Sequence, residues 1–382
     1  MRPGSAENAV DGRIRARGVS ASRVARDLAA ARIAAGVATG LLVLLVAGSA
    51  AAAGVKASSA FVVSAPAPAP LDVPIFLDAM IHFSPDSSAK YATPGIEVRD
   101  RGRIVSTEIV LPADPPRGQV KALLTIKPIP QDERSMFDRW DRAGSIRLAF
   151  EEGPDVELVR FITAYGGRTD HEVDVTALAP LLRGPCRFRA FIDTWVTPAW
   201  RVDCSLRYEP DSTFDAPFWA APVMLVDSFN REEHGDGLVA EVTVPPGLSR
   251  VVLRYISTGH CTDGRDADEF ESKANVISVD GRVVARIHPW RDDCRRFRER
   301  NPYCSRWADG SWSSDYARSG WCPGVEVLPT EFDLTDHLGP GKHQVKVAIE
   351  EMRPEDADGN FGYWRVSAAL IGWDRPPRLW RN

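Results

Sequence analysis

Four clusters of acidic, basic and aromatic residues in this sequence could carry out chemistry. They are FDRWDRAG (137–144), FIDTW (191–195), STGHCTDGRDADEFE (257–271) and SSDYARSGWCPG (313–324). A carboxylate can act as a general acid or base, an arginine can hold charge, and a tryptophan ring can stack on a sugar. The candidates of these types are Asp138, Arg139, Trp140, Asp141 and Arg142 in the first cluster, Asp193 and Trp195 in the second, His260, Asp263, Asp266, Asp268, Glu269 and Glu271 in the third, and Asp315, Arg318 and Trp321 in the fourth.

Each cluster also has a structural interpretation. Asp141 and its neighbouring arginines could form weak ion pairs on a solvated surface, and Asp193 could simply face solvent. The acidic loop 257–271 could bind calcium, although its spacing and glycine position do not fit an EF-hand. A lone histidine such as His260 is more often a hydrogen-bonding partner than a metal ligand. Spacing alone does not say whether the four clusters meet in space.

Short β-strands are the elements that must position these clusters. The runs SIRLAF (145–150), LVAEVTVPP (238–246) and HQVKVAIEE (343–351) have the alternation of half-buried strands and are bounded by turn-forming residues. No stretch beyond residue 72 keeps a helical apolar stripe for three turns. Many short strands in a chain of this length indicate an all-β fold of sandwiches or jelly rolls.

The length and composition indicate a globular protein with two domains. The chain has 382 residues, of which 44% are hydrophobic and 26% charged. The composition shifts near residues 210–217, so we predict an N-terminal domain over 72–213 and a C-terminal domain over 214–376. The net charge of −5 excludes a nucleic-acid-binding protein that works by bulk positive charge.

Residues 1–71 are predicted to be a targeting or anchor segment followed by a linker. Arginines cluster in residues 1–32, and no residue from 33 to 55 is charged. This pattern is typical of a secretory signal, and the apolar run is long enough to remain as a membrane anchor. The repeated Pro–Ala of SAPAPAP (64–70) indicates a stiff spacer. In either case we expect an extracytoplasmic protein, either secreted or periplasmic, or anchored through residues 33–55.

The six cysteines, an even number, favour disulfides in an oxidising compartment. The candidate pairs are Cys186–Cys204, Cys294–Cys322 and Cys261–Cys304. A hairpin that turns near Thr197 would place Cys186 and Cys204 opposite each other. The second pair would close a Trp- and Ser-rich excursion, and the third pair is what remains. Zinc is the alternative, but the spacing matches no paired metal-ligand pattern.

Across these clusters the sequence resembles the peptide-N-glycosidase F family of bacterial secreted amidases, which remove asparagine-linked glycans. The motifs that carry the resemblance are STEIVLPAD (106–114), WDRAGSI (140–146), RFITAY (160–165), EVDVTALAPLLRG (172–184), FIDTW, the TGH…DEF loop, WRDDC (290–294), RSGWCPG (318–324) and WRVSAALIG (364–372). They cover about residues 100–373 in the family's order. The shared order and spacing make the resemblance specific.

The resemblance implies two eight-stranded antiparallel jelly-roll domains packed side by side, with the active cleft at their interface. It places the principal catalytic carboxylate at Asp141 and supporting acids at Glu269 and Asp193. The residues that it places around the substrate are Arg142, Arg318, Trp195, Trp321 and His260, and Trp140 beside Asp141 joins them as a candidate. It also implies the disulfide Cys294–Cys322.

The resemblance further implies hydrolysis of the glycosylasparagine amide bond of N-linked glycoproteins or glycopeptides. In this reaction Asp141 would deprotonate a water molecule, while Arg142 or Arg318 would hold charge. No metal or organic cofactor is required, no nucleic acid is involved, and we expect a monomer. Glu269 would hydrogen-bond to sugar hydroxyls or to the bridging water.

The sequence departs from the family at two places, and other functions stay open. Asp193 stands where the family has Glu, and a shift of about 1 Å at a catalytic group can cost roughly 10²-fold in rate. Ala267 and Glu271 stand where the family has the cysteines of a small disulfide. One alternative is a catalytically impaired carbohydrate-binding module on the same scaffold. A copper monooxygenase would need clustered His or Met, whereas the seven histidines are scattered.

Overall fold

The computed structural model describes most of the chain beyond the N-terminal segment. The described ranges are 69–84, 93–130, 138–211, 213–263 and 267–374. Residues 64–382 form one compact unit. The targeting segment and spacer predicted over 1–71 lie outside the described residues except for the last three positions. In the described ranges, no helix combines the length and the apolar character needed to cross a membrane.

The described residues form strands with few helical turns. The first nine strands are β1 (Leu71–Ile81), β2 (Glu97–Arg99), β3 (Ile104–Leu111), β4 (Gly118–Pro128), β5 (Ala143–Ala149), β6 (Val156–Ile162), β7 (Thr169–Asp174), β8 (Gly184–Ile192) and β9 (Trp200–Pro210). The next nine are β10 (Trp219–Phe229), β11 (Leu238–Val244), β12 (Arg250–Cys261), β13 (Asn275–Val279), β14 (Arg282–Ile287), β15 (Glu326–Val327), β16 (Thr330–Asp333), β17 (Gly341–Ile349) and β18 (Gly362–Trp373). The helical segments are α1 (Arg231–His234) and 3₁₀ turns at Asp100–Gly102, Thr176–Leu181, Cys294–Arg300 and Ser313–Asp315.

The strands form four antiparallel sheets that make two sandwiches. Sheet β1-β9-β4-β7 shares a core with sheet β15-β6-β5-β8-β3-β2, and sheet β10-β18-β12-β16 shares a second core with β11-β17-β13-β14. The predicted all-β fold of two antiparallel sandwiches is therefore confirmed. Among the described residues the second sandwich has the predicted eight strands, whereas the first has ten, because the short β2 and β15 join one of its sheets.

The burial of each strand follows from what covers its two faces. In β17, the alternating residues Val345, Val347 and Ile349 point into the second core, as predicted. Strands β5 and β6 are buried at every position, because one face covers the first core and the other packs against the second half of the chain. Arg254 of β12 makes this contact directly, since its Nη1 donates to the Glu157 carbonyl of β6 at 2.8 Å.

The second half of the chain also contributes a strand to the first sandwich. Strand β15 pairs with β6, with Glu326 opposite Phe161. The first core likewise contains Ala369 and Ile371 of β18. The domain boundary predicted near residue 213 lies in the connection between β9 and β10 and stays a prediction, because these shared elements cross it.

One of the three predicted disulfides is present, and two predictions are wrong. Cys294 and Cys322 are joined. Cys186 and Cys204 are not, because β8 and β9 belong to different sheets and do not form the predicted hairpin. Both thiols are buried, and Sγ of Cys186 donates to the Leu181 carbonyl instead. The last pair, Cys261–Cys304, is not formed either.

Candidate active site

The β5–β6 hairpin positions Asp141. Strand β5 begins two residues after Asp141, and its first residue, Ala143, lies opposite Ile162, the last residue of β6. This register brings the chain that follows β6 alongside Asp141. The Thr163 hydroxyl accepts a hydrogen bond from the backbone N–H of Arg142 at 2.8 Å. The two chain ends are therefore tied together at the rim of the sandwich.

A buried carboxylate, Asp138, joins the two loops that carry exposed tryptophans. Its oxygens accept hydrogen bonds from Nε of Arg142 at 3.0 and 3.1 Å and from the Thr194 hydroxyl at 2.5 Å. Because Arg142 follows Trp140 and Thr194 precedes Trp195, Asp138 fixes both loops. The guanidinium of Arg142, predicted to bind substrate, is held by Asp138 rather than by Asp141.

Arg318 brings two of the predicted acids together. Its Nη2 lies 3.4 Å from Oδ2 of Asp141, and its Nε lies 3.4 Å from Oε1 of Glu269. The guanidinium is almost fully buried and also donates to the carbonyl oxygens of Ser313 and Tyr316 at 2.9 and 3.0 Å. The segment that carries Arg318 is closed by the disulfide Cys294–Cys322. One fixed cation thus bridges carboxyl groups from the two halves of the chain.

The residue before Glu269 anchors its loop in the second sandwich. Asp268 is fully buried and accepts hydrogen bonds from Nε1 of Trp364 at 2.8 Å and from the backbone N–H of Arg353 at 2.9 Å. The Glu269 carbonyl accepts from the backbone N–H of Ser319 at 2.9 Å. Hydrogen bonds of Asp268 and of the Glu269 backbone therefore hold this loop in place.

Burial and proximity raise the pKa values of both carboxyl groups. Burial, together with the nearby charge of Asp141, raises the pKa of Glu269 to about 7, although Arg318 opposes the shift. Burial also raises the pKa of Asp141, which Arg318 and a hydrogen bond from Tyr165 oppose. Sγ of Cys261 approaches Oε2 of Glu269 at 3.5 Å as a weak donor. Two carboxyl groups that share one cation titrate as a coupled pair.

The Trp321 ring packs against Arg318, and the His260 ring stacks on Trp321. Neither ring lines an open surface. His260 lies at the end of β12, not in the predicted loop, and its ring stacks between Trp321 and Tyr363 at 5.4 and 5.3 Å. Burial and neighbouring arginines lower its pKa well below the usual value, so the ring is neutral. The Arg318 guanidinium lies 4.7 Å from the Trp321 ring centroid. Both predicted substrate-binding rings are buried.

Trp140 and Trp195 are the predicted aromatic residues that remain exposed, at 52% and 58%. The Trp195 ring contacts Phe83 at 5.0 Å and the Arg103 guanidinium at 4.7 Å. The Asp193 carboxylate, two residues earlier, binds Arg103 and not Arg318. The structure therefore separates the third predicted acid from the pair at Arg318.

Several residues of the site have no predicted role in the sequence analysis. Tyr165 contributes a hydroxyl 3.4 Å from Nη2 of Arg318, and Asp138 organises the tryptophan loops. Pairing of the predicted strand at 145–150 with the apolar run that ends at Ile162 could have indicated Tyr165. In such a hairpin, Asp141 and Tyr165 lie beyond the paired ends of the two strands, at the same edge of the sheet. No short-range sequence pattern indicates Arg103, which lies directly between the 3₁₀ turn at Asp100–Gly102 and the start of β3. No group of three or more potential metal ligands is found among the described residues.

Comparisons with known proteins agree with this fold. Residues 228–371 match the family model described as the C-terminal domain of peptide-N-glycosidase F. Among solved structures, PNGF-II is similar at 25% identity with a TM-score of 0.70, over 79% of this chain and 65% of that chain. This chain thus spans just under two thirds of the length of PNGF-II. No curated protein matches the sequence.

Two further solved structures share the fold. One is PNGase F, a glycosylasparaginase from Flavobacterium meningosepticum, at 18% identity and a TM-score of 0.61, over 80% of this chain and 96% of that one. The other is a peptide-N(4)-(N-acetyl-beta-D-glucosaminyl) asparagine amidase, at 17% identity and a TM-score of 0.59, over 80% and 97%. Residues 228–371 of this chain are thus similar to the C-terminal domain of peptide-N-glycosidase F, and the two-sandwich fold is shared with these solved structures.

Proposed function

We propose that this protein is an amidase that hydrolyses the bond between an N-linked glycan and its asparagine side chain in glycoproteins or glycopeptides. The products would be aspartate and a glycosylamine. The observation that carries the proposal is the bridge in which Arg318 contacts Asp141 and Glu269 at 3.4 Å each. The solved structures with the same fold include one named as an amidase of this type, which supports the assignment.

The chemistry follows from the protonation of the pair. Asp141 as a carboxylate takes a proton from water, and the resulting hydroxide attacks the amide carbonyl carbon. The positive charge of Arg318 favours the negative charge that develops on the carbonyl oxygen. The C–N bond then breaks, and the leaving nitrogen takes a proton from Glu269, whose raised pKa keeps it partly protonated near neutral pH. The net reaction consumes one water molecule, and the starting state returns when the proton on Asp141 passes to Glu269, directly or through solvent.

The exposed rings supply a binding surface for the sugar. Trp140 precedes Asp141 directly, and Trp195 lies on the loop that Asp138 ties to it. Sugar rings stack their C–H faces on aromatic surfaces, so both rings are placed to hold the glycan while its amide reaches Asp141.

The proposed location is outside the cytoplasm, by secretion or by anchoring through residues 33–55. The disulfide Cys294–Cys322 supports an oxidising compartment, where such bonds persist. We further propose that the protein acts as a monomer, as the sequence analysis expects.

The test uses the full chain, produced under oxidising conditions and incubated with a denatured N-glycoprotein. Mass spectrometry reads whether glycan-bearing Asn is converted to Asp. We expect conversion by the wild type and a loss of at least about 10²-fold in Asp141→Asn. The matched control is Asp333→Asn, which removes the carboxylate of an exposed ion pair with Arg250 and should convert normally. Equal conversion by wild type and Asp141→Asn would refute the role of Asp141.

The second candidate function is a carbohydrate-binding module, and the exposed Trp195 platform is the observation in its favour. Such a protein would retain glycopeptides on a column and convert none of them. Loss of retention in Trp195→Ala would then support a binding role without catalysis.

A further inference from the structure

Asp193 and two arginines form a charged cluster that connects the halves of the chain beside the aromatic surface. Oδ1 of Asp193 lies 3.0 Å from Nη1 of Arg103, and Oδ2 lies 2.6 Å from Nη2 of Arg365. Arg103 follows the turn before β3, whereas Arg365 lies in β18 of the second sandwich. We call these three residues the Asp193 clamp.

Each arginine of the clamp contacts an aromatic ring. The Arg103 guanidinium lies 4.7 Å from the Trp195 ring and 5.4 Å from the Phe83 ring. The Arg365 guanidinium lies 5.0 Å from the Phe191 ring. Stacking of a guanidinium on an aromatic face restricts the ring as well as the cation. The orientation of the exposed Trp195 ring therefore depends on where Arg103 is held.

Both oxygens of Asp193 are already engaged by the protein. Each accepts a charged hydrogen bond, and such bonds are the strong ones in proteins. Arg365 is buried and is fixed on its other side by Asp227 at 2.9 Å, and Asp227 binds Arg147 at 2.6 Å. The Arg365 side of the clamp is thus fixed, and Asp193 connects it to Arg103, whose Nε also lies 2.9 Å from Oδ2 of the more exposed Asp100.

We propose that Asp193 and Arg103 are positioning residues that hold the Trp195 ring in its sugar-binding orientation, and that Asp193 takes no part in proton transfer. The inference rests on the proposed function for the identity of the ligand. It explains the aspartate at position 193, which is shorter than a glutamate, by the space between the two arginines of the clamp. A Glu there would be one methylene longer between two arginines that already lie at contact distance.

The first test reads the Trp195 ring without any substrate. The full chain is labelled with 5-fluorotryptophan, and the ¹⁹F resonance of Trp195 is assigned with Trp195→Phe. We expect this resonance to shift or broaden in Asp193→Asn and Arg103→Lys. The matched control is Asp333→Asn, which removes the carboxylate of an ion pair with Arg250 outside the clamp and should leave the resonance in place. An unchanged resonance in Asp193→Asn overturns the proposal, whatever the activity of the protein.

The second test separates positioning from catalysis. In Asp193→Asn and Asp193→Glu we expect KM for a glycopeptide to rise about tenfold, kcat to stay within about twofold, and the pH profile of kcat to keep its shape. A fall in kcat of about 10²-fold with loss of one limb of the pH profile would make Asp193 a catalytic acid or base and refute the proposal.

The two tests also distinguish failure of the inference from failure of the proposed function. If the wild type converts no glycopeptide, the proposed reaction is wrong, and the ¹⁹F resonance still decides whether the clamp holds Trp195. Calorimetric binding of the glycopeptide to Asp141→Asn, with and without Asp193→Asn, then measures the effect on affinity. Equal affinities in the two proteins overturn the role of the clamp in sugar binding.

Discussion

Arg318 carries one positive charge and faces two buried carboxyl groups. One cation compensates one carboxylate, so the second carboxyl of the Asp141–Glu269 pair retains a proton to a higher pH than a solvated group does. Burial of the carboxyl group, with the charge of Asp141 as a smaller contribution, raises the pKa of Glu269 to about 7 although an arginine lies 3.4 Å away. An ionised base beside a protonated acid is the state that hydrolysis of an amide needs.

The raised pKa of Glu269 predicts how stability depends on pH. A glutamate in the unfolded chain has a pKa near 4.5, whereas here it is about 7. The folded state therefore binds this proton more tightly, and the stabilisation present below pH 4.5 is lost as the pH rises through 7. Relative to Glu269→Gln, the wild type should lose on the order of 3 kcal/mol of unfolding free energy between pH 4.5 and 8.

Urea denaturation of both proteins across this pH range measures the difference. Glu350→Gln is the control, because Glu350 forms an exposed ion pair with Arg286 and its replacement removes one carboxyl group away from Arg318. If the difference between wild type and Glu269→Gln is the same at pH 4.5 and at pH 8, the raised pKa is wrong.

Among the elements, the first residue of β18, Gly362, determines the position of the loop that carries Glu269. A Cβ atom on Gly362 would lie 1.6 Å from Oδ2 of Asp268, the carboxylate that anchors this loop. Gly362→Ala should therefore displace Asp268 from its hydrogen bonds and lower the unfolding free energy by about 2 kcal/mol or more, with a fall in kcat.

Gly339→Ala is the matched control for this substitution, since a Cβ there meets no atom within 4 Å. Denaturation curves and conversion assays of the two variants compare them directly. Normal stability and activity in Gly362→Ala would show that the loop does not depend on Asp268.

The excursion between Cys294 and Cys322 is a second element that holds the site. The bond closes a segment of sequence separation 28, and Arg318 lies inside it. Replacing both cysteines with serine should cost about 3 kcal/mol of unfolding free energy through a less constrained unfolded chain, and it should reduce kcat because Arg318 is less fixed. Reducing agent should lower wild-type activity to the level of the double variant and leave the variant unchanged. A reductant effect on the variant would assign the loss to another part of the molecule.

Local pattern predicted the strands but not which strands pair across long distances. The alternation of HQVKVAIEE is reproduced in β17, because each residue's burial depends on a period of two along the strand. The disulfide predicted between Cys186 and Cys204 failed because consecutive strands β8 and β9 lie in different sheets, which spacing does not record. Likewise the family motifs predicted Asp141, Glu269 and Arg318, which the structure brings into contact, whereas Arg103 approaches Trp195 through tertiary packing that no motif records.

At the scale of the whole molecule, charged side chains connect the two sandwiches. Arg254 of β12 donates to the carbonyl oxygens of Glu157 and Leu158, and Arg160 of β6 donates to the Arg365 carbonyl at 2.6 Å. Removing one partner from such a buried network leaves unsatisfied polar groups, each costing about 1–3 kcal/mol. The site lies across this junction, since Asp141 and Arg318 come from opposite sides of it.

This junction predicts that the two sandwiches unfold together. In calorimetry and in urea, the wild type should show a single transition that coincides for far-UV circular dichroism and tryptophan fluorescence. Arg254→Met removes both of the Arg254 donors to β6, so we expect the transition to broaden or divide into two, with lower activity because Asp141 separates from Arg318 and Glu269. Arg286→Met, which breaks an exposed ion pair on the second sandwich, is the control and should keep the single transition. Two resolved transitions in the wild type would mean that the sandwiches are thermodynamically independent, and that the substrate, rather than the buried arginines, assembles the site.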